Sequence, residues 1–174
     1  MSRLAALSEA PIPPPLDLPV VAVPVAHRPV LLLVTAEDLH PESGFGQTSG
    51  FAGVLVVSGA AISGDRSRAF VAGAAADTAG ARFDCPVQMI DALGSETLCA
   101  AAAAASKDTI MTAYAPVGPV ADACAAAAAT MASSGVALVQ VQRSWDARFW
   151  PHPRKGFFAF REKIPSVLAQ EGLC

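Results

Sequence analysis

The residues of this chain that could take part in chemistry are few, and several lie close together. Glu37 and Asp38 are adjacent carboxylates, and His40 follows two positions later. Such groups can transfer protons as an acid–base pair, and His40 or His152 could act as a general base. Adjacent carboxylates at the end of a strand are more often solvated or cap a turn. The chain has three histidines and no HxH or HxxxH pair, so we expect no metal site and assign no catalytic residue.

Sequence motifs for nucleotide binding and nucleophilic catalysis are absent. There is no GxGxxG, no GxxxxGK[ST] and no GxSxG. The cysteines form no CxxC pair and fit no zinc spacing, which indicates free thiols in a reducing, cytoplasmic setting. Glu9 and a proline cluster interrupt the first apolar residues, so we expect no signal peptide. No long apolar run free of charges and breakers is present, so we expect no membrane span.

The elements that must position these residues alternate between strand-like and helix-like segments. Residues 30–34 form a continuous apolar run, which is typical of a strand covered on both faces of a parallel sheet. Four further runs predict strands at 51–57, 83–90, 109–114 and 136–141. Helices are predicted between them at 63–79, 95–106 and 120–133, the first with Ser63 as N-cap and Gly80 as its stop. The pattern predicts a three-layer, Rossmann-like α/β domain with about five mainly parallel strands and helices on both faces.

Composition divides the chain into three parts. Residues 1–29 contain seven of the fourteen prolines and read as an extended N-terminal arm. The α/β domain is predicted over 30–142, and a C-terminal tail with a short helix over 143–174. The formal net charge is −3, so any attraction to nucleic acid has to be local.

Two loops are the best candidates for a ligand site, because open parallel sheets bind ligands beyond the carboxyl ends of their strands. The first loop follows the strand at 30–34, and the second precedes a helix whose N-terminus could receive an anion. The candidate ligand-binding residues in these two loops are Thr35, Glu37, Asp38, Tyr114, Pro116 and Gly118.

The tail is rich in both bases and rings. Residues 143–163 hold six of the twelve Lys and Arg and six of the eleven aromatic residues, with a net charge of +4. Bases interleaved with rings can mean phosphate contact and base stacking on nucleic acid. The rings can equally be buried anchors covered by Arg and Lys stems, and the two roles can coexist. Segments rich in aromatic residues and arginine also resemble interface hot spots, so we expect the tail to dock a partner. The candidate docking residues are Trp145, Asp146, Trp150, His152, Lys155, Phe157, Phe158 and Phe160.

A resemblance to a known family rests mainly on this tail. The last predicted strand is followed by Arg143-Ser144-Trp145-Asp146, by Trp150-Pro151-His152 and by Lys155-Gly156-Phe157-Phe158-Ala159-Phe160, then Ile164-Pro165. This order resembles the end of the N-terminal α/β domain in the photolyase/cryptochrome family. Asp38 and Leu39 also match that family's Arg-Asp-Leu-Arg turn after the first strand, although both arginines are missing here.

The resemblance implies an α/β domain that can hold an antenna chromophore, a folate or deazaflavin, in a cleft. The family's flavin lies in a separate helical domain, so we expect no FAD site in this chain and no catalysis by it alone. It would be an accessory, split-subunit or remnant form of a DNA photolyase or cryptochrome, acting with a flavin-bearing helical protein or domain. The tail is then a candidate surface for contact with DNA. The alternative is a standalone Rossmann-like protein that binds a nucleotide or another small molecule.

Overall fold

The fold is built on one parallel sheet. The structure, a computed structural model, describes residues 29–45, 50–59, 64–153 and 156–173. Nearly all of the expected proline-rich arm at 1–29 therefore lies outside the described residues. Five strands pair in parallel in the described part of the chain: β1 (Leu31–Val34), β2 (Gly53–Val57), β3 (Val87–Ile90), β4 (Thr109–Ala113) and β5 (Ala137–Val141).

The strand order is β3-β2-β1-β4-β5, so β1 lies at the centre. Leu31 pairs with Gly53 of β2 on one side and with Ile110 of β4 on the other. All four residues of β1 are buried, as expected for a strand that has neighbours on both sides and helices on both faces. The prediction of a three-layer α/β fold is confirmed.

The helices segregate to the two faces of the sheet. The main helices are α2 (Asp65–Ala81), α3 (Ser95–Ala104) and α4 (Pro119–Ala132), with a short α1 (Glu42–Phe45) after β1. Leu31, Leu33 and Leu55 share a core with residues of α3 and α4. Leu32, Val34 and the alternate residues of β2 pack instead with α2 and α1. The alternation of side chains along each strand thus feeds two cores.

Alanine-rich helices suit this architecture because small side chains allow a helix to lie close to a sheet. In α3 and α4 the alanines are punctuated by larger residues, Leu98 and Met131, which are fully buried in the core on that face. Alanine also has the highest intrinsic helix propensity, so these segments need few other signals. Pro119 stands in the first turn of α4, where its missing N–H costs nothing.

The ends of α2 differ from the prediction. The N-cap is Gly64, with φ 97°, and Ser63 lies outside the described residues. The helix continues through Gly80 to Ala81, and its C-cap is Arg82. Gly80 does not have a positive φ, so nothing in its backbone stops the helix there. The Thr78 hydroxyl donates to the carbonyls of Leu39 and Ala74, and Ala79 packs against the core on this face, so these contacts hold the last turn of the helix in place.

The described residues form two compact units, 29–148 and 149–173. The chain leaves β5 through α5 (Ser144–Phe149), whose last residue belongs to the second unit. That unit contains α6 (Phe157–Arg161) and α7 (Ile164–Gln170). Among the helices that the structure describes, none combines the length and the apolar character needed to cross a bilayer.

Candidate functional site

The centre of the sheet contains a topological switch point. The chain moves from β1 to β2 and β3 on one side and returns to β4 on the other side of β1. The loops that follow β1 and β4 therefore diverge and leave a crevice at the carboxyl edge, where open α/β sheets bind ligands. These are the two loops that the sequence predicts, at 35–40 and 114–119.

The loop after β1 presents three side chains in different ways. Thr35 is buried, and its carbonyl accepts a hydrogen bond from the Asp38 N–H at 3.0 Å, which closes a tight turn. Asp38 turns away from solvent and pairs with Arg143, with 2.5 Å between Oδ1 and the guanidinium nitrogen. Glu37 is exposed, and its Oε1 would lie 4.0 Å from a Cβ placed on Gly118. The first loop thus reaches the second through Glu37.

The loop after β4 is held by the neighbouring strand. The Tyr114 N–H donates to the carbonyl of Val141 at 2.9 Å, and the Ala115 N–H donates to the side-chain oxygen of Gln140 at 3.1 Å. Gly118 has φ 106°, a conformation that favours glycine, and α4 begins at the next residue. The strand β5 therefore fixes where α4 starts. Pro116 is exposed on the outside of this loop.

A cleft of about 340 Å³ lies at this edge of the sheet, between the ends of β1, β2 and β3 and the first turns of α4. Its volume falls in the range of small-molecule sites, roughly 300–1,000 Å³. The walls are mostly apolar, and the principal lining residues are Thr35, Val57, Gly59, Asp91, Leu93 and Val120. Of the six residues predicted from the sequence for ligand binding, Thr35 lines this cleft.

The other five predicted residues do not line the cleft. Glu37 and Gly118 lie beside the N-terminus of α4, and Asp38 is paired with Arg143. Tyr114 and Pro116 shape the loop after β4. Among the lining residues that the sequence did not predict, Val57 ends β2 and Asp91 directly follows β3. The same strand-end rule that selected Thr35 would have selected them.

One wall of the cleft depends on a close approach between two strand ends. The Ser58 N–H donates to the Ile90 carbonyl at 2.9 Å, which continues the pairing of β2 and β3 beyond the sheet. A Cβ on Gly59 would lie 1.7 Å from the carbonyl oxygen of Asp91, so the backbone reaches this position only without a side chain. The Ser58 hydroxyl also lies 3.5 Å from Asp91 Oδ1. Asp91 is thereby carried to the edge of the cleft.

The N-terminus of α4 is surrounded by acidic groups of the protein itself. Asp122 lies in its first turn, and Glu37 approaches Gly118 from the loop after β1. Burial raises the pKa of the Cys124 thiol, in the second turn of α4, to about 11, and the Glu37 carboxylate adds to the increase. A carboxylate close to a helix N-terminus interacts favourably with the helix dipole, and it competes with any external anion for that position.

A second group of charged residues lies after β1. Glu42 Oε2 is 3.6 Å from both Arg82 and His40, which joins the start of α1 to the C-terminal end of α2. His40 is largely exposed and has this carboxylate as its partner. Across the described ranges, no three His, Cys, Asp or Glu side chains come together as a possible metal site.

The second unit contains one half-buried pair and one exposed pair of aromatic rings. Phe149 and Phe160 pack edge to face, with centroids 6.0 Å apart, and both are half-buried. Phe157 and Phe158 also pack edge to face at 5.8 Å, but they are 64% and 73% exposed. Arg161 lies over the ring of Phe158, 5.8 Å from its centroid. The half-buried pair thus fits the interpretation of the tail rings as anchors, and the exposed pair fits their interpretation as a binding surface.

The remaining predicted docking residues are placed as follows. Trp145, about half exposed, and Asp146 lie in α5, in the first unit. Trp150 and His152 are half-buried residues between α5 and α6, in the second unit. Lys155 lies outside the described residues.

Comparison with known proteins adds no relative to this picture. No family model, no curated protein and no solved structure matches the chain. The assignment of each site residue therefore rests on the geometry given above.

Proposed function

We propose that this chain is a photolyase-related α/β domain that is not catalytic alone and acts with a flavin-bearing helical partner. The observation that carries the proposal is the outward-facing pair Phe157 and Phe158 with Arg161 stacked on Phe158. The two rings lie in the Gly-Phe-Phe-Ala-Phe segment on which the family resemblance rests. The proposal places the protein in the reducing cytoplasm, which agrees with the free thiols of Cys85, Cys99 and Cys124.

The chemistry of α6 favours a protein partner. Two adjacent exposed phenylalanines are costly to leave in water, since each aromatic side chain can bury about 150–250 Å² on contact. Aromatic residues and arginine are enriched at the few interface positions that carry most of the binding free energy. Arg161 and Lys163 outnumber Glu162 at the end of α6, so the complementary surface of the partner should be apolar with an acidic rim.

Association with a defined flavin protein tests this proposal. The probe is the FAD-loaded helical domain of a DNA photolyase that lacks its own α/β domain. We expect the flavin absorbance to co-elute with this chain in size-exclusion chromatography. The double variant Phe157→Ala, Phe158→Ala should abolish co-elution. Phe70→Ala is the matched control because Phe70 on α2 is 77% exposed but lies in the other unit.

Two results would contradict the proposal. One is no co-elution of the wild-type chain at any practical concentration. The other is binding of the chain to a DNA duplex that excludes the flavin protein, is lost steeply as salt rises and requires the tail bases. The second result would assign the tail to nucleic acid instead.

A second function is favoured by the cleft of about 340 Å³ at the switch point. Here the chain is a small-molecule-binding domain, and in a photolyase-related protein that molecule would be an antenna chromophore. A ligand at 100 times its Kd stabilises the folded state by about 2.7 kcal/mol, which a thermal-shift screen detects. We expect Ala123→Phe, which fills the cleft, to remove the shift, and Ala125→Phe on the exposed side of α4 to keep it. A flat screen against nucleotides, flavins, folates, deazaflavins and small organic cations would contradict this function.

A further inference from the structure

The described lining residues of the switch-point cleft carry negative charge only. Asp91 lies at the edge of the cleft, and the described lining residues include no Lys, Arg or His. Glu37 and Asp122 add two more carboxylates beside the N-terminus of α4, which forms part of the wall. The Arg143 guanidinium, which follows β5 at the same edge of the sheet, is already paired with Asp38. Among the described lining residues, a phosphate entering this cleft would therefore meet a carboxylate and no cation.

The helix N-terminus does not reverse this preference. A helix dipole attracts anions only within its first turn, and screening by solvent weakens the attraction. Here Glu37 already approaches that position, at Gly118, and its influence extends to Cys124 one turn further along α4. The helix end is thus supplied with negative charge by the protein itself.

The rest of the described cleft lining is mainly apolar. Val57, Leu93 and Val120 line it, together with Thr35, which is 7% exposed. These side chains offer an apolar surface to the body of a small ligand.

We infer that the switch-point cleft binds a small organic cation, with an apolar body against Val57, Leu93 and Val120 and an ammonium or amidinium group against Asp91. Phosphorylated nucleotides are poor ligands for the same cleft. This inference rests on the small-molecule function proposed above and specifies its ligand class. It is independent of docking through the tail.

Benzamidine is a suitable probe because it joins an aromatic ring to an amidinium group. Its binding to the full chain is compared, by NMR titration, with that of neutral benzyl alcohol, anionic benzoate and AMP. We expect benzamidine to bind at least tenfold more tightly than benzoate, with benzyl alcohol between them. AMP should bind no better than benzoate.

Two carboxylate variants test the role of Asp91. Asp91→Asn should reduce the preference for benzamidine over benzyl alcohol to less than about threefold. Asp84→Asn is the matched control, since Asp84 is an exposed carboxylate that precedes β3, whereas Asp91 follows β3. It should leave the preference unchanged, and both variants should retain the wild-type thermal midpoint.

The outcomes separate the cation inference from the function on which it rests. Tighter binding of benzoate or AMP than of benzamidine, or an unchanged preference in Asp91→Asn, would overturn the inference. Benzyl alcohol binding that Ala123→Phe abolishes, with no preference for benzamidine, would overturn the cation and leave the cleft as a ligand site. No binding of any probe would overturn both.

Discussion

Arg143 and Asp38 form an ion pair of 2.5 Å that joins the loop after the central strand to the start of the tail. Asp38 is 11% exposed in its side chain, and Arg143 is 34% exposed. The Arg143 carbonyl also accepts the Ala147 N–H at 2.9 Å, which opens α5. A Cβ on Gly44 would lie 3.4 Å from Arg143 Cγ, so the arginine stem passes close to α1. One residue thereby connects β1, α1 and the exit from β5.

We predict that breaking this pair destabilises the fold. Asp38→Asn or Arg143→Met should each lower the free energy of unfolding by about 2 kcal/mol, because each leaves a mostly buried charged group without its partner. The double variant should lose less than the sum of the two. Urea denaturation of the single and double variants measures the coupling.

The exposed pair of Asp65 and Arg68 in the first turn of α2 serves as the control. Asp65 is 95% exposed in its side chain, so Asp65→Asn should change the free energy of unfolding by less than about 0.5 kcal/mol. Strictly additive effects of the Asp38 and Arg143 variants would show that the buried pair does not act as a unit.

A second prediction concerns the cleft wall at Gly59. Gly59→Ala should destabilise the protein by about 1–3 kcal/mol, since the new Cβ overlaps the backbone oxygen of Asp91 and the two strand ends must separate. Gly73→Ala should instead stabilise it by about 0.5–1 kcal/mol, because Gly73 lies within α2 with open space around it. Thermal unfolding of both variants checks the opposite signs. A neutral Gly59→Ala would mean that β2 and β3 do not approach so closely.

A third prediction follows from the raised pKa of Cys124. The folded thiol keeps its proton up to a pKa of about 11, whereas the unfolded thiol loses it near the ordinary value of 9.0. Between these pH values the unfolded state holds fewer protons, so stability present below pH 9 is lost as the pH rises towards 11. Cys124→Ala should show a smaller decline over this range in urea denaturation.

Cys99→Ala, in the neighbouring helix α3, is the matched thiol control and should keep the wild-type decline. Iodoacetamide labelling at pH 8 gives a second readout, and Cys124 should react last among the thiols of the described residues. Equal pH dependence in Cys124→Ala and the wild type would contradict this account of the thiol.

The sheet was predictable from the sequence because each strand carries its own signal. Residues 30–34 and 51–57 are unbroken apolar runs, and the structure places β1 and β2 within them. The strand at 83–90 is shorter than predicted because Pro86 precedes the pairing, and β3 begins at Val87. The start of α2 was missed because its N-cap, Gly64, has no side chain to signal it.

The candidate sites were only partly predictable. The strand-end rule selected the two loops at the switch point and Thr35, which lines the cleft there, but the direction of each side chain decided where the other predicted residues lie. Asp38 turns inward to Arg143, 105 positions later in the chain, and a single sequence gives no sign of that partner. The separation of the tail rings into a half-buried pair and an exposed pair likewise depends on packing around α6. Composition alone allowed both roles.

The affinity of this chain for the FAD-loaded helical domain of a photolyase tests the central claim most directly. In isothermal titration calorimetry we expect saturable 1:1 binding, weakened at least tenfold by Phe157→Ala with Phe158→Ala and unchanged by Phe70→Ala. Absence of binding by the wild-type chain, or equal binding by the double variant and the wild type, would contradict the claim.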